Sequence, residues 1–335
     1  MIISFNTGKI GQKLQQKKIT VTENGMDVII PDSGYDGLST VYIQTYINPH
    51  GSEKDFGSIG YNTEENRLIN AAIDSDVAYS KTLYDAWDAE NTSAADLYYN
   101  DKELVYAPAI DTSNVTNFTN MLRETSIVYT PYYNTSKATT ISSMFNACQY
   151  LRTSDLSRYD VSNVTDIGGL FANCKNITSV NLSGWDVSNV MSANMLFYNC
   201  NNLRSVDLSG WQNKKINNVS QMFNECGFLT DLDLSGFDFS NVGSSTYSHR
   251  MFYLCSKLRN LKFGKNFKAK LDVSYTDLNT ESFMSVFNGL YDFTGNGETP
   301  TAYQGVITIY TQHLANMTDE MKAIPISKGW TIYED

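Results

Sequence analysis

Histidine occurs only three times in 335 residues, at His50, His249 and His313, and none belongs to a His-Glu-x-x-His zinc signature. Neither a Gly-x-Ser-x-Gly elbow nor a phosphate-cradling glycine loop accompanies them. Dispersed carboxylates exist, but no pair is singled out for glycoside hydrolysis, so the expectation is a protein without enzymatic activity. Basic residues are scarce: 25 Lys and Arg against 36 Asp and Glu leave a net charge of −11, which argues against a nucleic-acid partner. The one basic cluster, Lys13 to Lys18, reads as a solvated face. No run of about 18 apolar residues is present, so no membrane-spanning helix is expected. The opening residues lack a basic stretch followed by an apolar core, and no lipid-attachment cysteine lies near them, so no secretion signal is expected either. A protein of this kind working outside a cell would leave by another route, such as a particle released by lysis.

Cysteine is also sparse, and its placement is the most informative feature of the chain. All five close one phrase: Met144-Phe-Asn-Ala-Cys148, Leu170-Phe-Ala-Asn-Cys174, Leu196-Phe-Tyr-Asn-Cys200, Met222-Phe-Asn-Glu-Cys226 and Met251-Phe-Tyr-Leu-Cys255. Their intervals are 26, 26, 26 and 29 residues. A period that constant marks one supersecondary unit that must stack on its copies to bury its apolar face. An odd number of equally spaced thiols has no unique disulfide pairing, and no histidine joins them to hold zinc. They read as small buried apolar residues.

Other positions keep the same register. Leucine recurs at Leu156, Leu182, Leu208 and Leu234, an aromatic at Tyr159, Trp185, Trp211 and Phe237, and an aliphatic at Val164, Val190, Ile216 and Val242. Phrases such as Val180-Asn-Leu-Ser-Gly-Trp185 alternate like a short half-buried strand and end in a turn. The Asp-x-Ser-Asn-Val phrase, as at Asp186–Val190, offers polar side chains to cap backbone groups. The Met/Leu-Phe-x-x-Cys segment is spaced for one or two turns of helix. One strand, one turn and one short helix per 26 residues predict an α/β solenoid of the leucine-rich repeat type.

These phrases closely resemble the BspA-like leucine-rich repeats of bacterial and mycoplasmal surface proteins and of some bacteriophage proteins, over roughly residues 110–290. Departures fall at the ends: Thr125 stands where cysteine is expected, and an insertion lies within residues 243–250. The stretch Thr22-Glu-Asn-Gly25…Gly34-Tyr-Asp-Gly-Leu38 lies in residues 19–47, which read as two or three short strands with a hairpin at Asn24-Gly25. It resembles modules of virion proteins in phages of gut bacteria, such as the crAss-like phages. The expected layout is an N-terminal arm over residues 1–18, a small β module for virion attachment over 19–50, a helical cap over 51–105, the solenoid over 106–290 and a C-terminal cap over 291–335. Helices are expected within 64–90. The C-terminal cap is expected as strand, helix over Thr311–Ala323, and strand.

One surface is a candidate for binding. Thr153, Ser179, Ser205 and Asp231 form one ladder beside the core leucines, and Asp155, Asn181, Asp207 and Asp233 form another. Both are expected to point outward as a polar, acidic strip stepping about 5 Å per coil. Such a strip suits a glycan or a basic partner, with Ca²⁺ held by the carboxylates as a further option and no other cofactor expected. The resemblances imply a structural or adhesive component of a phage virion, a head or tail fibre or decoration protein. It would contact other virion proteins through its N-terminal region, bind a bacterial surface glycan or receptor, and work as a homo-oligomer or within a larger assembly. The alternatives are a bacterial cell-surface adhesin binding host glycoprotein or matrix, and a glycan-degrading enzyme. In a bacterial or phage setting, the Asn-x-Ser/Thr sequons at Asn114, Asn163 and Asn176 imply no glycosylation.

Overall fold

The computed structural model describes residues 86–335, apart from 106, 108, 109, 129–132 and 244–247, together with the backbone of four strand segments before them. The chain divides into two compact units, Met1–Ser75 and Asp76–Asp335. In the first, β1 (Gln15–Val21) and β2 (Met26–Asp32) pair antiparallel, with Val21 opposite Met26 across the Asn24-Gly25 turn. Strand β1 begins inside the segment expected to be a free arm, so Lys17 and Lys18 lie on it. A second short antiparallel pair joins β3 (Ile47–Asn48) to β4 (Ser52–Glu53). Residues 34–37, and residues 64–85 of the segment 64–90 expected to hold helices, lie outside the described residues, while residues 86–90 form no helix.

The second unit is built by repetition. Strands β5 (Thr153–Asp155), β6 (Ser179–Asn181) and β7 (Ser205–Asp207) form a parallel sheet with equivalent residues of successive repeats in register. A separate parallel pair joins β8 (Asp231–Asp233) to β9 (Asn260–Lys262). The three-residue strands follow from their sequence, since Val180 and Leu232 turn inward between two polar neighbours. Elsewhere in each repeat, single parallel bridges link Ser93, Asn117, Thr140, Asp166, Ser192 and Asn218 in succession. Stacking therefore already includes residues 93–100, which were expected within a helical cap. Their amides at Ala94 and Tyr98 donate to the carbonyls of Asn117 and Met121, each at 2.9 Å.

The cysteine-bearing segment is not a helix. Between Ile141 and Cys148, the amides of Ile141, Ser143, Phe145 and Ala147 donate to the next repeat at Asp166, Gly168, Leu170 and Ala172. The amides of Met144, Asn146 and Cys148 instead close tight turns onto Ile141, Ser143 and Phe145. A helix would consume all of these donors internally; the stacked turns use every second one to hold the neighbouring repeat. The geometry requires two left-handed residues per repeat, four apart, such as Ser143 and Ala147 (φ 56° and 59°) or Gln221 and Glu225 (φ 55° and 63°). Each such residue costs about 1–2 kcal/mol of backbone strain, offset by the bonds between repeats.

The core runs the length of the stack as side-chain columns. Phe145, Phe171, Phe197, Phe223 and Phe252 stack with centroids 5.6, 5.7, 5.5 and 6.2 Å apart. The last step spans the insertion without interrupting the column. Aromatic neighbours at such separations add about 0.5–1.5 kcal/mol each beyond burial. Thr125, in the cysteine position of its repeat, is buried and donates its hydroxyl to the Leu122 carbonyl at 2.8 Å.

The far end closes with β10 (Leu271–Asp272), α1 (Thr280–Gly289), β11 (Val306–Ile309), α2 (Thr311–Ala315), α3 (Asp319–Ser327) and β12 (Thr331–Glu334). Strands β10, β11 and β12 form a parallel sheet in that order. Two helices replace the single one expected over Thr311–Ala323, because Thr318 accepts the Met321 amide and starts a new helix, which continues to Ser327. The sheet also recruits Leu271 and Asp272, from the segment expected to belong to the repeats. Lys328 ties the cap down by donating to the carbonyls of Phe287, Asn288 and Leu290 at 2.9–3.0 Å, where α1 ends. Its partial burial lowers the ammonium pKa.

Candidate binding face

Most repeated polar side chains are committed to the backbone. Asp186 accepts the Ser188 amide at 3.0 Å, and Asp111, Asp160 and Asp238 act likewise on Ser113, Ser162 and Ser240. These are turns closed by an aspartate side chain. The Ser188 hydroxyl and amide together hold the Asp186 carboxyl below the ordinary carboxylate range. Asparagine in the same phrase reaches the preceding repeat: Asn163, Asn189 and Asn241 donate to the carbonyls of Ser136, Ser162 and Lys214 at 3.2, 2.7 and 2.8 Å. Among the sequon asparagines, Asn114 and Asn176 are engaged in the same way with Ala89 and Gln149.

The five cysteines are unpaired and fully buried. Each thiol donates to a carbonyl of the preceding repeat: Cys148 to Leu122, Cys174 to Phe145, Cys200 to Phe171, Cys226 to Phe197 and Cys255 to Phe223, at 3.0–3.1 Å. Burial pushes the pKa of Cys148 and Cys255 up to about 12 and raises those of the other three. Such thiols are neither nucleophiles nor ligands. Trp185 and Trp211 donate their indole N–H groups to the Leu156 and Leu182 carbonyls at 2.6 and 3.0 Å.

The outward ladders of the strands are brought together in register. Thr153 pairs with Ser179 and Ser179 with Ser205, while Asp155 pairs with Asn181 and Asn181 with Asp207. Asp155, Ser205, Asp207, Asp231 and Asp233 are exposed, and Ser179 and Asn181 are half-buried. The acidic character expected of this strip does not run its full length. On β9 the ladders continue as Asn260 and Lys262, and Lys262 Nζ lies 2.9 Å from Asp233 Oδ2. Asn260 donates to Asp231 at 2.6 Å. Four ladder residues, Asp155, Asn181, Asp207 and Asp233, also accept the amide two residues on, at 2.9–3.0 Å. Burial alone would raise the Asp233 carboxyl, but Ser235 and Lys262 together bring it below the ordinary range. Thr230 and Asn260 lower that of Asp231. No group of three or more carboxylate, histidine or cysteine side chains that could hold a metal ion occurs among the described residues.

One surface feature escaped the repeat-based reading. Two residues after Cys174 and Cys200, Asn176 and Asn202 cap the carbonyls of Gln149 and Lys175 in the preceding repeat, at 2.7 and 2.9 Å. The next residue in that column is Phe228, which is 36% exposed and has no side-chain donor. With Tyr150 before and Lys257 after, the column keeps no constant residue type, so a reading based on recurring positions passes over it.

The family model described as Mycoplasma protein of unknown function, DUF285, matches residues 72–152, 92–202, 139–263 and 167–293. These overlapping matches together span more than half of the chain. Comparison with the curated proteins gives no match. No helix among the described residues is long and apolar enough to cross a membrane.

Proposed function

The chain belongs to the DUF285 repeat family, and from that premise we propose that it is a non-enzymatic structural and adhesive protein of a bacteriophage virion, presenting a leucine-rich repeat solenoid for protein or glycan binding. The observation that carries the binding role is the in-register strand face. Its repeated backbone bonds hold Asp155, Asn181 and Asp207 at fixed intervals, and contacts that recur along such a face multiply by avidity. The virion assignment rests on the resemblance of residues 19–47 to phage particle modules. In this reading the N-terminal unit attaches to virion neighbours, with the β1–β2 hairpin supplying short strands that can join a partner's sheet.

A bacterial cell-surface adhesin is the second reading, and the family's description as a Mycoplasma protein favours it. Immunogold electron microscopy of cells and released particles from the source culture separates the two. Gold on capsids or tails is the expected result. Gold confined to the cell envelope would replace the virion reading with the adhesin.

A further inference from the structure

We infer that Arg204, Phe228 and Lys257 form a binding site for an anionic saccharide, distinct from the strand face and independent of where the protein is displayed. The three residues come from successive repeats. The Arg204 guanidinium lies 5.2 Å from the Phe228 ring centroid, and the Lys257 ammonium lies 3.8 Å from it. One ring thus gathers two cations by cation–π attraction.

Three observations make this more than a surface contact. First, Phe228 stands where Asn176 and Asn202 of the two preceding repeats cap a carbonyl, and it places an exposed aromatic there instead. Second, three cations that follow Lys257 in the chain sit on acids: Arg259 on Asp277 at 3.0 Å, Lys262 on Asp233 at 2.9 Å and Lys265 on Asp238 at 3.9 Å. Arg204 and Lys257 have no carboxylate within 4.0 Å among the described residues, on a chain with net charge −11. Third, both cations lie within 5.2 Å of one ring centroid, so an anion near the ring meets the field of both.

The ligand follows from the combination. Cations alone would serve any anion, but an exposed ring edge beside them matches a sugar, whose C–H face is apolar while its carboxylate or sulfate is charged. Arg204 would engage that anionic group through its planar fork, and Lys257 as a point charge. A polyanionic chain could run along the stack and meet the site without entering a pocket.

The test measures binding of the full chain to alginate oligomers and to chondroitin sulfate by titration calorimetry, with dextran and polyglutamate as comparisons. Phe228→Asn introduces the residue that Asn176 and Asn202 present in the two preceding repeats, so it removes the ring while offering the same carbonyl cap. The expected result is binding to at least one of the anionic saccharides and none to dextran. Phe228→Asn and the double variant Arg204→Gln with Lys257→Gln should each weaken it by about tenfold or more. Lys214→Gln, an exposed lysine elsewhere, should leave it unchanged. The inference is overturned if neither saccharide binds, if Phe228→Asn binds as well as the parent, if Lys214→Gln weakens binding equally, or if polyglutamate binds as tightly as the saccharides.

Discussion

The indole of Trp211 lies stacked on that of Trp185, with centroids 6.0 Å apart and planes 10° from parallel. The two residues hold equivalent places in adjacent repeats, and each donates its N–H to the carbonyl of the leucine in the repeat before it. Between the two tryptophans the column is therefore stitched both by ring packing and by a hydrogen bond.

Replacing Trp211 by Phe keeps much of the ring stack and removes the donor to the Leu182 carbonyl, which lies in the buried core. That carbonyl still accepts the Trp185 amide at 3.4 Å, so the lost indole bond costs about 0.5–1.5 kcal/mol. Chemical denaturation should show a loss of that size, and an unchanged midpoint would mean that the bond contributes nothing.

The thiol column should be silent in the folded protein. Around pH 8.5, where an ordinary thiol is half ionised, a chromogenic aryl disulfide should label none of the five cysteines until denaturant is added, and then all five. Burial raises each pKa, to about 12 for Cys148 and Cys255. Labelling of any thiol in the native chain would contradict the packing described above.

Gly236 is required by close approach rather than by its dihedral angles. A methyl group there would lie 1.8 Å from the Trp211 carbonyl oxygen, a backbone atom fixed by the adjoining repeat. Gly236→Ala is expected to destabilise by about 1–3 kcal/mol or more. Gly243→Ala, where nothing among the described residues lies within 4 Å, should cost almost nothing. Equal melting temperatures for the two variants would show that the repeats can separate to make room.

Stability should fall in acid in a way traceable to single turns. The folded-state pKa of Asp186 lies below its ordinary value of 3.8, first through the Ser188 hydroxyl and then through its amide. A depressed carboxylate contributes stability that is fully present above the unfolded value and is lost as pH falls through the folded one. Thermal melts taken from neutral pH to below about pH 4 should therefore decline, and Asp186→Asn should decline less steeply. An asparagine closes a turn of this kind in the next repeat, one residue further on, at Asn213, whose side chain accepts the Lys215 and Ile216 amides at 2.8 and 2.6 Å. A variant with the parent's acid profile would show that the turn makes no contribution.

The difference between what was legible and what was not is clearest in the Met144–Cys148 phrase. Its inward residues, Met144, Phe145 and Cys148, could be named from recurrence alone, and all three are fully buried. Its backbone could not. Two apolar positions followed three residues later by another suit a helix as well as they suit a succession of tight turns. The residues that adopt the left-handed conformation, among them Ser143, Ala147, Met195 and Glu225, are of mixed type, and the single glycine that takes the place of Ser143 and Met195, Gly169 (φ 63°), does not recur to announce it. The strand ladders were similarly legible up to Asp233. Their continuation to Asn260 and Lys262 was obscured by the three-residue insertion, which shifts the interval from 26 to 29.

By itself the sequence determined the period, the inward columns of Phe, Cys, Leu and Trp, and the turn-closing role of the repeated aspartates. All of these follow from side-chain chemistry repeated at a constant interval. Tertiary structure alone decided where the backbone donors go. In a chain whose repeats lie against one another, half the amides of each cysteine segment find their acceptors in the neighbouring repeat, and that exchange offsets the strain of the left-handed turns. It decided as well that Arg204 and Lys257, more than fifty residues apart in the chain, share one ring at Phe228.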